Sequence, residues 1–122
     1  MGGGTPSRAR EDYFGGGIPW VKTTDLNNDV VSNTEETLTS LGLAESACRM
    51  VPAGSVLVAM YGGFNQIGRT GLLQYDSAVN QALTAIVPDG DRLDARLVLE
   101  WLNFRVDYWR RLAGSSRKDP NI

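Results

Sequence analysis

GSVLVAMYGGFNQIGRTGLLQYDSAVNQALTAI, residues 54–86, sets the frame from which the rest of the chain can be read. Within it Val56-Leu57-Val58-Ala59-Met60 is a short, unbroken apolar run, and its length and the flanking Gly54 and Gly62 favour a buried strand over a piece of helix. Residues 70–74 and 82–87 read as further strands, the last closed by the turn signal Pro88-Asp89-Gly90. Between the first two lies a loop with Gly62, Gly63, Gly68 and Gly71, which permit a tight turn, and with Tyr61, Asn65, Gln66 and Arg69, which carry hydrogen-bonding groups. Two readings of this loop stand side by side: a recognition loop held on a rigid frame, and an ordinary hairpin turn.

Outward from this block, the C-terminal side predicts a long amphipathic helix over residues 93–113. Leu93, Leu97, Trp101, Phe104, Tyr108 and Leu112 recur at helical spacing, with Val98, Leu102, Val106 and Trp109 widening the stripe. Gly90 or Asp91 is placed to cap its start and Gly114 to end it. The stripe predicts packing on the sheet, and any exposed remainder would be a surface for a partner. On the N-terminal side, residues 18–22 read as a strand that Pro19 confines to an edge or to the first positions of a ladder. Residues 25–32 form a polar connection. Residues 34–47 open on Thr34-Glu35-Glu36-Thr37, which resembles a capping box, and predict a short helix or two turns broken at Gly42. Strands first and a long helix last indicate an α+β class: one mixed or antiparallel sheet packed on a long C-terminal helix. The expected domain is the whole of residues 1–122, with 1–4 and 115–122 flexible.

A chain of 122 residues with 42% hydrophobic content can bury one core. No apolar stretch is long enough to span a bilayer, and the glycines near Met1 do not make a signal peptide, so a soluble cytoplasmic protein without membrane contact is expected. Cys48 is the only cysteine; beside Met50 and Val51 it reads as a buried structural thiol. With no histidine, the Ser-His-Asp triad, the Cys-His pair and imidazole metal ligands are excluded. The carboxylates Asp25, Asp29, Glu35, Glu36 and Glu45 fall in a polar stretch that reads as solvated turns, and no Gly-Lys-Ser/Thr phosphate loop occurs. No catalytic residue, metal site or cofactor is expected. The net charge is −2, but residues 1–91 carry 5 basic and 10 acidic side chains whereas residues 92–122 carry 7 and 4. Arg105, Arg110, Arg111, Arg117 and Lys118 gather near the C-terminus, where they can follow a phosphate backbone or complement a helix end.

Several segments recur in a characteristic order: Gly4-Thr5-Pro6-Ser7-Arg8, the stretch Tyr13-Phe14-Gly15-Gly16-Gly17-Ile18-Pro19-Trp20-Val21-Lys22-Thr23-Thr24-Asp25-Leu26, then Leu41-Gly42-Leu43, Val51-Pro52-Ala53-Gly54-Ser55-Val56-Leu57 and Asn80-Gln81-Ala82. From about Gly3 to Gly114-Ser115-Ser116 this set resembles the target-recognition domain of type I restriction-modification specificity subunits. The resemblance implies a non-catalytic module that reads one half of a split DNA target and works with separate methyltransferase and endonuclease subunits. Such subunits usually have an opening segment before Gly-Thr-Pro, spacer helices and a second domain, so against that pattern residues 1–122 are expected to be a partial, single half-site reader; a truncated remnant and a self-associating or assembly module are the alternative readings.

If the domain reads double-stranded DNA, the residue types assign roles. Arg69 suits a bidentate guanine contact, Asn65 and Gln66 suit adenine edges, and Tyr61 suits a sugar or a thymine methyl. Arg8, Lys22, Thr23 and Ser7, with the basic C-terminal helix, suit phosphate contacts that set register. Asn80 and Gln81 are expected to satisfy backbone groups near a buried strand. A methyltransferase subunit and a second copy of the chain are the other expected partners.

Overall fold

The computed structural model describes residues 2–63, 65–90 and 93–112. Among them the strands are β1 (Phe14–Val21), β2 (Val30–Val31), β3 (Glu36–Leu38), β4 (Met50–Val51), β5 (Val56–Ala59), β6 (Thr70–Leu73), β7 (Ser77–Val79) and β8 (Leu83–Ile86), and the helices are α1 (Ser40–Ala44), α2 (Ala95–Phe104) and α3 (Val106–Leu112). They build two sheets, in the orders β3-β1-β7-β4 and β2-β6-β5-β8. Each sheet is mixed: β1 runs parallel to β7 and β2 parallel to β6, while the other pairs are antiparallel. The class is α+β, as expected, but with two sheets in place of one.

Strand β5 shows why its sequence is apolar without alternation. Successive side chains point to opposite faces of a sheet. Leu57 and Ala59 enter the core that both sheets share, with Val21, Val51, Leu73, Val79 and Leu83, whereas Val56 and Val58 pack against Leu99 and Leu102 of α2. Both faces are covered, so neither carries polar residues. A third cluster lies on the far side of the first sheet, where Trp20, Leu38, Cys48 and Ala78 meet Phe14, Ile18 and Leu43. Each large side chain buried in these layers contributes about 1.5–3 kcal/mol.

Cys48 is buried, and its thiol and the Trp20 indole N–H both donate to the carbonyl of Gly4, at 3.0 Å and 3.3 Å. The Gly4 N–H donates to Val79 O at 3.1 Å. These bonds tie the opening segment to the first sheet at Gly4.

The C-terminal helix differs most from the pattern read in the sequence. It is two short helices, with the break at Arg105, whose N–H reaches both Trp101 O and Leu102 O. Asp94 is the N-cap, accepting from the N–H groups of Arg96 at 2.8 Å and Leu97 at 3.2 Å. Asp91 and Gly114, expected as caps, lie outside the described residues. The regular stripe is also turned around: Leu93, Leu97, Trp101, Phe104 and Tyr108 are exposed, Phe104 at 84%, and the sheet receives Leu99, Leu102, Val98 and Trp109.

Residues 34–47 do not start as a helix. Glu36–Leu38 pairs with β1, Leu38 is fully buried beside Trp20, and the helical turn begins only at Ser40, capped by Thr39, whose hydroxyl accepts from Gly42 N–H at 3.1 Å. Burial of Leu38 outweighs the local capping signal. Gly42 lies inside α1, close against the Tyr13 carbonyl, instead of breaking it. Pro19 is not on an edge strand, since β1 lies between β3 and β7; pairing to β7 starts one residue later, at Trp20. Phe14 and Ile18 both register with Leu38, so the intervening glycines form a bulge.

Candidate nucleic-acid interface

The β5–β6 hairpin brings Tyr61, Asn65, Gln66 and Arg69 together at one tip. The hairpin is closed by Gly68 N–H to Ala59 O at 2.9 Å and Ala59 N–H to Arg69 O at 2.9 Å. Within the turn, Gln66 N–H and Ile67 N–H donate to Gly63 O at 2.8 Å and 3.0 Å, and Arg69 N–H donates to Gln66 O at 3.0 Å. Ile67 is fully buried and anchors the turn from below. Gly68 takes a φ of +80°, and a side chain there would press on Val106, whose Cγ2 lies 3.2 Å from the position of a Cβ. Only glycine fits both conditions without strain.

The tip is also held from the side by α3. The Arg110 guanidinium donates through Nε to Ile67 O and through Nη2 to Asn65 O, both at 3.2 Å. Arg110, counted among the phosphate-binding candidates from the sequence, thus grips the loop backbone. A second polar node joins the start of β6 to the connection between β1 and β2 and to α2. Asn28, in the left-handed region at φ 61°, accepts from Thr70 N–H at 3.0 Å through its side chain and donates its own N–H to Thr70 O at 2.8 Å. Asn103 Nδ2 donates to Asn28 O at 2.9 Å, and the buried Thr70 hydroxyl donates to Asn103 Oδ1.

These bonds satisfy the backbone and leave side chains pointing outward. Asn65 and Tyr61 are exposed, and Arg69 is half-buried with no ion pair among the described residues. Gln66 is partly engaged, because its Oε1 accepts from Gly63 N–H at 3.3 Å. A bidentate adenine contact needs both amide atoms, so Asn65 is better placed for it than Gln66.

The other expected DNA-contacting residues flank β1, Ser7 and Arg8 before it and Lys22 and Thr23 after it. Arg8 makes a two-pronged pair with Glu36, Nη1 to Oε2 at 2.6 Å and Nη2 to Oε1 at 3.0 Å, and lies over the rings of Phe14 and Trp20. Lys22 Nζ reaches the same carboxylate at 2.5 Å, with Glu35 at 3.7 Å. The hydrogen bonds from Arg8, then Lys22, bring the Glu36 carboxyl down to about 2. Ser7 is exposed, but Thr23 is buried in a one-turn 3-10 helix, where its hydroxyl is poorly placed for phosphate. Asn80 satisfies a backbone group as expected, its Oδ1 accepting from Ala82 N–H at 3.1 Å, whereas the exposed Gln81 accepts through Oε1 from a side chain, the Thr5 hydroxyl, at 2.5 Å.

Sequence reasoning missed Glu36 as the partner of two cations and Arg110 as a support of the loop. The adjacent Asn27-Asn28 pair was the one visible hint of the node at Thr70, since Asn tolerates the left-handed region.

A model of the type I restriction modification DNA specificity domain matches residues 1–107. The chain is 31% identical over 119 residues to the MjaIX type I restriction enzyme specificity subunit of Methanocaldococcus jannaschii, covering 94% of this chain and 27% of that subunit. It is 26% identical over 89 residues to the EcoR124I/EcoR124II specificity subunit of Escherichia coli, covering 71% of this chain and 22% of that subunit. It therefore spans about a quarter of the length of these relatives. A solved structure from work on complex assembly and conformational transition of the type I R-M system superposes with a TM-score of 0.70 at 16% identity, covering 92% of this chain and 26% of that one.

Proposed function

The chain belongs to the type I restriction modification DNA specificity domain family, and from that premise we propose that it reads the bases of one half of a split DNA target, without catalysing a reaction itself. The observation that carries this reading is the hairpin tip, where a hydrogen-bonded backbone holds Tyr61, Asn65 and Arg69 at the surface. Direct readout needs side chains whose polar atoms are uncommitted and whose backbone does not yield. Arg69 serves for guanine, Asn65 for adenine, and Tyr61 for a thymine methyl or a sugar. Gln66 adds its remaining amide N–H groups. Ser7 is placed for phosphate, and Arg8 and Lys22 become so when Glu36 releases them.

The proposed partners are double-stranded DNA and the methyltransferase subunit of a modification complex, and the proposed setting is the cytoplasm. Among the described residues no helix is long and apolar enough to cross a membrane. A second reading, pairing with another copy or docking on the methyltransferase, rests on the exposed row Leu93, Leu97, Trp101, Phe104 and Tyr108. Dependence of solution mass on protein concentration separates self-pairing from docking on another subunit.

Selection from a randomised duplex pool at low and moderate salt tests the first reading. The expected result is a short enriched motif whose binding weakens steeply with salt. Equal binding of all sequences would reduce the activity to phosphate attraction, and a folded protein that binds no duplex would overturn the proposal.

A further inference from the structure

We propose that Arg110 is the positioning residue that sets the sharpness of base reading at the hairpin tip, acting through the loop backbone and not on DNA. This rests on the reading of the tip as the recognition element. Among its described residues the turn is closed by local hydrogen bonds between positions 63 and 69, with the Ile67 side chain fully buried beneath it. None of these bonds ends on the carbonyls of Asn65 and Ile67. Arg110 donates to both from one planar group, with Nε on Ile67 O and Nη2 on Asn65 O at 3.2 Å each.

A guanidinium holds its donors in a fixed fork, so two acceptors bound to it are fixed relative to each other. One carbonyl belongs to Asn65, a proposed base-reading residue, and the other lies two residues before Arg69. The break at Arg105 is what makes this possible, because α3 starts anew and lays Val106 and Trp109 against Gly68. The same contact explains why the loop has glycine at that position.

A side chain that only supports a loop and one that also binds phosphate give different results on DNA. Removal of a phosphate contact weakens all sequences alike and lowers the salt slope by about 0.9 per contact. Removal of a loop clamp leaves that slope unchanged and flattens the preference between bases.

The experiment compares the full chain with Arg110→Ala and Arg110→Lys in two measurements. The first is amide hydrogen exchange without DNA. Two lost hydrogen bonds should speed exchange at Gln66, Ile67 and Arg69 by roughly tenfold or more in Arg110→Ala. The Leu57 and Val58 amides of β5 should stay as in the wild type, which shows that the fold is intact. Arg110→Lys, with a single flexible donor group, should fall between. The second measurement is selection from the randomised duplex pool, in which Arg110→Ala should broaden the motif while random-duplex binding and its salt slope hold.

Unchanged exchange at the tip overturns the clamp. A sharp motif with a lower salt slope overturns the positioning role in favour of phosphate contact. If the wild type selects no motif, the DNA reading fails instead, and exchange still decides whether Arg110 holds the loop.

Discussion

Arg69 at the hairpin tip and Arg8 and Lys22 beside β1 are cations all expected to face the same ligand, yet the two regions are built in opposite ways. At the tip the backbone is engaged and the side chains of Arg69, Asn65 and Tyr61 are left over. On the segments that flank β1 the cationic side chains are themselves engaged, both on Glu36, with Arg8 also stacked on Phe14 and Trp20. Residue type sets what a side chain can bind, and its neighbours decide whether it is available. A cation already held by a carboxylate offers a nucleic acid little, because an incoming phosphate must first displace that partner.

The contrast is most directly broken through Arg69. Arg69→Ala should cost about 1–3 kcal/mol on the preferred duplex and little on random duplex, measured as a pair of dissociation constants. Equal losses on both would place Arg69 with the phosphate contacts. Next in size, Gly68→Ala should lower stability by about 1–2 kcal/mol in denaturant unfolding, since an L side chain is strained at that φ and crowds Val106. A neutral result would mean that the tip does not need its observed shape.

Glu36→Gln should act in the opposite direction to the other changes. By releasing Arg8 and Lys22 it should strengthen random-duplex binding at low salt and steepen the salt slope by about 0.9 for each cation that then meets a phosphate. It should also alter acid stability. The Glu36 carboxyl is lowered in the folded state from 4.5 to about 2, so its contribution is complete above 4.5 and disappears as pH falls from 4.5 towards 2. The variant should lack that part of the acid decline in a melting-temperature profile. The smallest effect is expected of Lys22→Ala, under about 1 kcal/mol on any duplex, because Lys22 is already neutralised. A loss as large as that of Arg69→Ala would erase the distinction between the two regions.

The strands with both faces covered were legible because burial on two sides leaves an unbroken apolar run, as in Val56–Ala59. The hairpin and its polar loop followed from the glycines around it. What was hidden depended on tertiary pairing. Ser77–Val79 is too short and too polar at its start to declare itself, yet it lies at the centre of one sheet between β1 and β4. Glu36 belongs by local signals to a helix start, and only Leu38 packing on Trp20 draws it into a strand.

The C-terminal stripe misled for another reason. Helical spacing identifies an apolar face but not which face meets the sheet, and the break at Arg105 ends the periodicity partway. At the candidate site the residue types were readable. Their availability was not, because Glu36 lies 28 positions from Arg8 in the chain and Arg110 lies 43 from Ile67.

The kink at Arg105 has an optical consequence. It places the Trp101 and Trp109 rings edge to face, 5.8 Å apart, one on each side of the joint, while Trp20 is sealed in another layer at 1% exposure. An indole in an apolar setting emits at shorter wavelength than one in water. Release of α3 from the loop should therefore shift and brighten or quench the emission of the Trp101–Trp109 pair while Trp20 stays constant. The domain thus contains a natural fluorophore pair across its helix joint and an internal standard in its core, so the contact between α3 and the hairpin tip can be followed without a label.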